Sequence, residues 1–116
     1  MDLLHLTTER QWQSALADGH YRGSTRDASV DEVGFVHCSR TSQLPRVASA
    51  VYTGISEPLV VLHLDDEALT SADFDVVIED GGDGESFPHV YGGPLPVSVV
   101  AEVRPATISD DGTLNY

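Results

Sequence analysis

The stretch Gly34–Ala48, "GFVHCSRTSQLPRVA", decides how the rest of the chain is read. It opens as an apolar run of strand type. Period-two geometry puts Phe35, His37 and Ser39 on one strand face and Val36 and Cys38 on the other. It closes as a helix: Leu44, Val47, Ala48, Val51 and Tyr52 recur at the spacing of one apolar stripe. Pro45 is tolerated in a first helical turn, and Gly54 ends the element. A buried strand thus carries a histidine, the only cysteine and a serine straight into an amphipathic helix.

Upstream, "LLHLT" (Leu3–Thr7) is a strand with Leu4 and Leu6 on one face and Leu3, His5 and Thr7 on the other. Thr8 reads as a helix N-cap with Gln11 three residues on, as in a capping box. Trp12, Ala15 and Leu16 follow at helical spacing, and Gly19 is the stop. The polar "HYRGSTRDASVDEV" reads as a surface loop or lid. Downstream, "PLVVLHLD" is a central strand and "FDVVIE" another, while "DGGDGE" is a turn. "SFPHVYGGPLP" reads as a constrained loop or edge strand because of its Pro and Gly. "VSVVAEVRP" is the last strand. The expectation is one α+β domain over residues 1–116, globular to 105, with a polar tail from 106 that frays. Two main helices are too few to cover both faces of a parallel sheet, so the sheet is expected to be mostly antiparallel.

The chain has 116 residues, six arginines, no lysine and 19 acidic residues, a formal net charge of −13. Such a surface repels phosphate backbones and argues against general nucleic-acid binding. It fits solubility through self-repulsion, and equally a halophilic protein of a salty cytosol. No apolar run has the length of a membrane span, and "MDLLHLTTER" lacks signal-peptide character. A single cysteine rules out an internal disulfide framework, so a reducing cytoplasm is the expected location.

Five histidines carry most of the candidate chemistry. His5 alternates with Thr7, and His37 with Ser39, so each strand offers an imidazole and a hydroxyl about 7 Å apart. That is hydrogen-bonding equipment for a ribose, a phosphate or an amide, or else for buried backbone groups. His89 stands between Phe87 and Tyr91 at period two, which makes a wall for a flat ring or an aromatic mini-core. His20, in the loop after the first helix, is an exposed polar residue or a ligand contact. His63, in "VVLHLDD", reads as a structural histidine on a sheet face. Glu79 ends "FDVVIE", where a carboxylate can orient a hydroxyl or stabilise a developing cation. Cys38 points away from His37 and reads as a packed thiol rather than a nucleophile. Neither H-x-x-x-H nor C-x-x-C spacing occurs, so no metal is expected, and a histidine-based metal site is the least favoured reading. Phosphate-loop, dinucleotide and serine-elbow motifs are also absent.

Taken together, "HLTTERQWQSALADGHY", "GFVHCS", "SQLPRVASAVY", "LVVLHLD", "VVIE" and "FPHVYGGPLPVSVV" resemble the bacterial and plant family called domain of unknown function 952, from about Leu4 to Pro105. The chain departs from the pattern in the extra glycine of "YGGPL" and in lacking an aromatic before the glutamate of "VVIE". The resemblance implies an ADP-ribosyltransferase-like fold: a split, mostly antiparallel β core with two main helices packed alongside and an NAD cleft between the halves. By that analogy His5 with Thr7 would serve the nicotinamide-side ribose, His37 with Ser39 would support the pocket, and Glu79 would complete it. His89 and Tyr91 belong to the family's own pattern. The expected catalytic residues are then Glu79 and His37. The expected binding residues are His5, Thr7, His20, Ser39, His89 and Tyr91. The implied activity is an ADP-ribosyl-type transferase or glycohydrolase acting on NAD or a related nucleotide. The alternative is a non-catalytic nucleotide- or ADP-ribose-binding module. A tRNA phosphotransferase role, known on the same fold, would need a basic surface that this chain lacks.

Overall fold

Alternating apolar residues fold Leu3–Thr8 into β1. Thr8 then caps α1 (Glu9–Asp18) by accepting from the Gln11 amide, and Gly19 ends it at φ 90°. Three short strands follow: β2 (His20–Tyr21), β3 (Gly23–Thr25) and β4 (Ala28–Ser29). A full capping box of Ser29 and Glu32 starts α2 (Val30–Val33). Next come β5 (Val36–His37), α3 (Leu44–Val51) and β6 (Leu59–Leu64). Asp65 caps α4 (Asp66–Ser71), which leads to β7 (Asp75–Asp80) and β8 (Ser86–Tyr91). The chain ends with β9 (Leu95–Pro96), a 3-10 turn at Val97–Val99, β10 (Val100–Ile108) and β11 (Leu114–Asn115). This computed structural model describes residues 2–81 and 84–116. None of the helices among these residues is long and apolar enough to cross a membrane.

Two antiparallel sheets dominate. One has the order β1-β6-β10-β11 and the other β5-β8-β7. They are joined where Leu4 and Ser39 exchange backbone hydrogen bonds of 2.9 and 2.8 Å. The main core lies between the sheets and under α1: Leu3, Leu62 and Leu64 of the first sheet meet Val36, Cys38 and Val90 of the second, with Trp12, Ala15 and Tyr21. α3 covers the opposite face of the first sheet, packing Leu44, Ala48 and Tyr52 on Leu4, Leu6 and Val61. The Tyr52 hydroxyl, deep in that layer, donates to the Leu6 carbonyl at 3.0 Å.

The α+β class, the antiparallel core and the central position of β6 agree with the sequence reading. That reading does not include α4, Val97–Val99 is a 3-10 turn rather than the start of the last strand, and three further segments differ. The 20–33 segment is not a loop, because Tyr21, Ser24 and Val30 are buried and anchor it. β8 is the centre of its sheet rather than an edge. Pro88 is tolerated because its carbonyl takes the Cys38 amide, so its missing N–H falls where the β5 chain leaves the sheet. The tail does not fray: β10 runs on to Ile108, β11 pairs back on it, and Ala106, Ile108 and Leu114 join the α3 core. The expected turn at 80–85 lies partly outside the described residues.

Leu62 sits fully buried in the central strand β6. Leu62→Ala is expected to cost about 2–5 kcal/mol, read from urea denaturation midpoints. A cost below about 1 kcal/mol would place Leu62 outside the core.

Candidate functional site

The ladder of the second sheet decides which side chains gather. His37 pairs with His89, Val77 with His89, Glu79 with Phe87, and Asp75 with Tyr91. Paired residues share a face, so His37, Phe87, His89, Tyr91, Val77 and Glu79 stand on the face away from the main core. Phe35, two residues before His37, joins them. It stacks on the His89 ring at 4.0 Å between centroids and 12° between planes. His37 tilts against both Phe87 and His89, at 5.1 and 5.3 Å. Alternation puts these groups outward while Val36, Cys38 and Val90 point inward.

Glu79 is the acceptor of this platform. Its Oε1 accepts from the Tyr91 hydroxyl at 2.5 Å and from His89 Nδ1 at 2.9 Å. The Tyr91 hydrogen bond, then that from His89, holds the carboxyl below the usual range, so it is ionised at neutral pH. The same contact pushes the Tyr91 phenol up. Glu79 remains 38% exposed, whereas the His89 side chain is 7% exposed. Burial, and then the neighbouring His89, push the His37 pKa down, so its ring is neutral at pH 7.

His5 has a different environment. Its Nδ1 lies 2.6 Å from the His37 carbonyl, and its Nε2 lies 2.6 Å from the Tyr21 hydroxyl. A carbonyl only accepts, so Nδ1 donates to it and Nε2 accepts from the Tyr21 hydroxyl. Burial lowers the His5 pKa from 6.5 to about 4. Thr7 is buried and gives its hydroxyl to Gln11 Oε1 at 2.6 Å, which takes the Gln11 side chain away from the second arm of a capping box. Ser39 is buried at the junction of the sheets. Of the space there, about 10 Å³ remains, lined by His5, Ser24, Thr25, His37 and Ser39, which is room for about one water.

The structure therefore brings His37, Glu79, His89 and Tyr91 together and holds His5, Thr7 and Ser39 inside. His20 is exposed and lines a separate cavity of about 520 Å³ with Gln11, Asp18, Tyr21 and Glu32, none of which belongs to the platform. The His63 side chain, on the central strand β6, is half-exposed and lies 4.0 Å from Asp2. Cys38 is buried, as its strand position implies, and burial pushes its thiol up. Among the described residues no group of three or more His, Cys, Asp or Glu side chains could hold a metal ion. Two supporting residues escaped the sequence reading. Tyr21 is hidden in a polar segment that carries no periodic signal. Gln43 receives the Arg40 amide at 3.0 Å and donates to the Ser86 carbonyl at 2.7 Å, tying the start of α3 to β8.

An α+β domain with a split antiparallel core and an imidazole–carboxylate–aromatic face is the class that these features define. The chain belongs to the family described as protein of unknown function (DUF952), whose model matches residues 6–103. The crystal structure of protein CC0527 from Caulobacter crescentus is similar, with 28% identity and a TM-score of 0.81 over 99% of this chain and 94% of that one. The solution NMR structure of CC0527 gives 29% identity and a TM-score of 0.75 over 97% and 90%. No curated protein matches the sequence.

Two outcomes follow from the buried His5. Its folded pKa lies below its unfolded one, so between them the unfolded chain binds more protons. Its stabilising contribution is complete above pH 6.5 and is lost as pH falls to about 4. The loss should reach about 3 kcal/mol, with His37 acting in the same direction. Denaturation midpoints that stay level from pH 6.5 to 5, above the carboxylate range, would contradict this. Tyr21→Phe leaves Nε2 without its donor and should cost about 1–3 kcal/mol at pH 7 in the same assay.

Proposed function

We propose that the platform is the ligand site of an ADP-ribosyl-type transferase or glycohydrolase acting on NAD or a related nucleotide. The observation that carries the reading is Glu79: an ionised, half-exposed carboxylate fixed by Tyr91 and His89 beside a stack of flat rings. Its Oε1 is taken, which leaves Oε2 to receive a ribose hydroxyl or to face the cationic sugar that forms as a glycosidic bond breaks. Phe35, Phe87 and Tyr91 offer apolar and aromatic surface for a nicotinamide or base ring. The junction of two antiparallel sheets at Ser39 supports the comparison with the ADP-ribosyltransferase fold, which is an argument from analogy.

A second reading has its own observation. His5 and Thr7, which the analogy assigns to the ribose, and Ser39, which it assigns to the support of the pocket, are buried and turned to structural work. That favours a module which binds a nucleotide or ADP-ribose on the platform without turning it over.

Incubation with NAD and chromatographic detection of nicotinamide separates the two. The enzyme reading expects release by the unaltered chain and a loss on the order of 10²–10³ in Glu79→Gln. Calorimetric binding of ADP-ribose without any release selects the binding module. Neither binding nor release would overturn both.

A further inference from the structure

His89 holds an unused lone pair at the centre of the platform. An ionised carboxylate only accepts hydrogen bonds, so the 2.9 Å contact to Glu79 places the proton on Nδ1. In the neutral ring Nε2 is then an acceptor. It is buried and has no hydrogen-bond partner among the described residues. A buried acceptor without a donor is a standing cost, and it points to a group that the free protein does not supply.

The ring is also held in place. Phe35 stacks on one face at 4.0 Å, Glu79 fixes the Nδ1 edge, and Tyr91 in turn fixes Glu79. Nε2 therefore has a set direction, away from Glu79. On the β5 side its neighbour is His37, whose imidazole makes no hydrogen bond among the described residues. A change of His37 rotamer therefore breaks no hydrogen bond among the described residues. An imidazole oriented by a carboxylate on one nitrogen, with the other nitrogen free, is the arrangement of a general base.

We propose that Glu79 and His89 form a dyad in which His89 Nε2 takes the proton of the hydroxyl that attacks the sugar. This rests on the enzyme reading above and changes who does what within it. The C1′–N bond to nicotinamide breaks, and its electron pair stays on the nicotinamide nitrogen, which leaves as a neutral base. The oxygen of water or of an acceptor alcohol bonds to C1′. Its proton passes to Nε2 and then to solvent. His89 is the catalytic base, and Glu79 positions the ring and stabilises the imidazolium. The co-substrate class is thus a hydroxyl compound, water included.

The test combines two readouts. In the unaltered chain with nitrogen-15 in its imidazoles, His89 should be the Nδ1–H tautomer, and its Nε2 resonance should move on titration with ADP-ribose. In His89→Gln, nicotinamide release should fall by about 10²–10⁴-fold. ADP-ribose that shifts other platform resonances but leaves Nε2 unmoved overturns the dyad and leaves the ligand site standing. Release that survives in His89→Gln does the same. Absence of any ADP-ribose response together with absence of release overturns the site and the dyad with it. The magnetic resonance arm needs no variant, so it decides the matter even where His89→Gln fails to fold.

Discussion

Two backbone hydrogen bonds between Leu4 and Ser39 hold this architecture together. At Cys38 the chain still bonds to Pro88 of one sheet, and one residue later it bonds to Leu4 of the other. The His5 side chain reinforces the crossing by reaching the His37 carbonyl from below. Everything on the outer platform inherits its position from this point. β5 can present Phe35 and His37 beside His89 only because Cys38 ties the chain to β8 and Ser39 then pins it to β1. The register of β8 against β5 and β7 then sets the spacing from His37 through His89 to Glu79.

Much of this was legible. Period-two alternation put His37 opposite in face to Cys38, and Phe87, His89 and Tyr91 on one side of a strand. The apolar stripe located α3, and the β-branched run located β6. What failed did so for tertiary reasons. Pro and Gly made "SFPHVYGGPLP" resemble an edge, yet the N–H that Pro88 lacks falls just where the β5 chain leaves the sheet. The polar 20–33 segment carries no period, yet burial of Tyr21 against His5 organises it. Alternation gave His5 and Thr7 a common face correctly. It could not tell whether that face meets solvent or a second sheet, because that depends on where β5 and β8 dock.

The consequence is a division of labour among chemically similar residues. Inside, His5 is a neutral crosslink with both ring nitrogens engaged, a role set by burial. On the other face of the second sheet, the His37 ring and the buried His89 Nε2 have no hydrogen-bond partner among the described residues and stand beside an ionised glutamate. The net charge of −13 bears on this contrast as well. A nucleotide diphosphate approaching so acidic a chain is repelled at long range, and added salt weakens that repulsion. Affinity on the platform must therefore come from stacking and directed hydrogen bonds rather than from electrostatic steering.

Co-crystallisation with ADP-ribose tests the central claim most directly. The account predicts density for the nucleotide on the outer face of the β5-β8-β7 sheet, with a ribose hydroxyl within hydrogen-bond reach of Glu79 and a ring against Phe35 or Phe87. Density instead in the cavity lined by His20 and Glu32, with the platform bare, would contradict it.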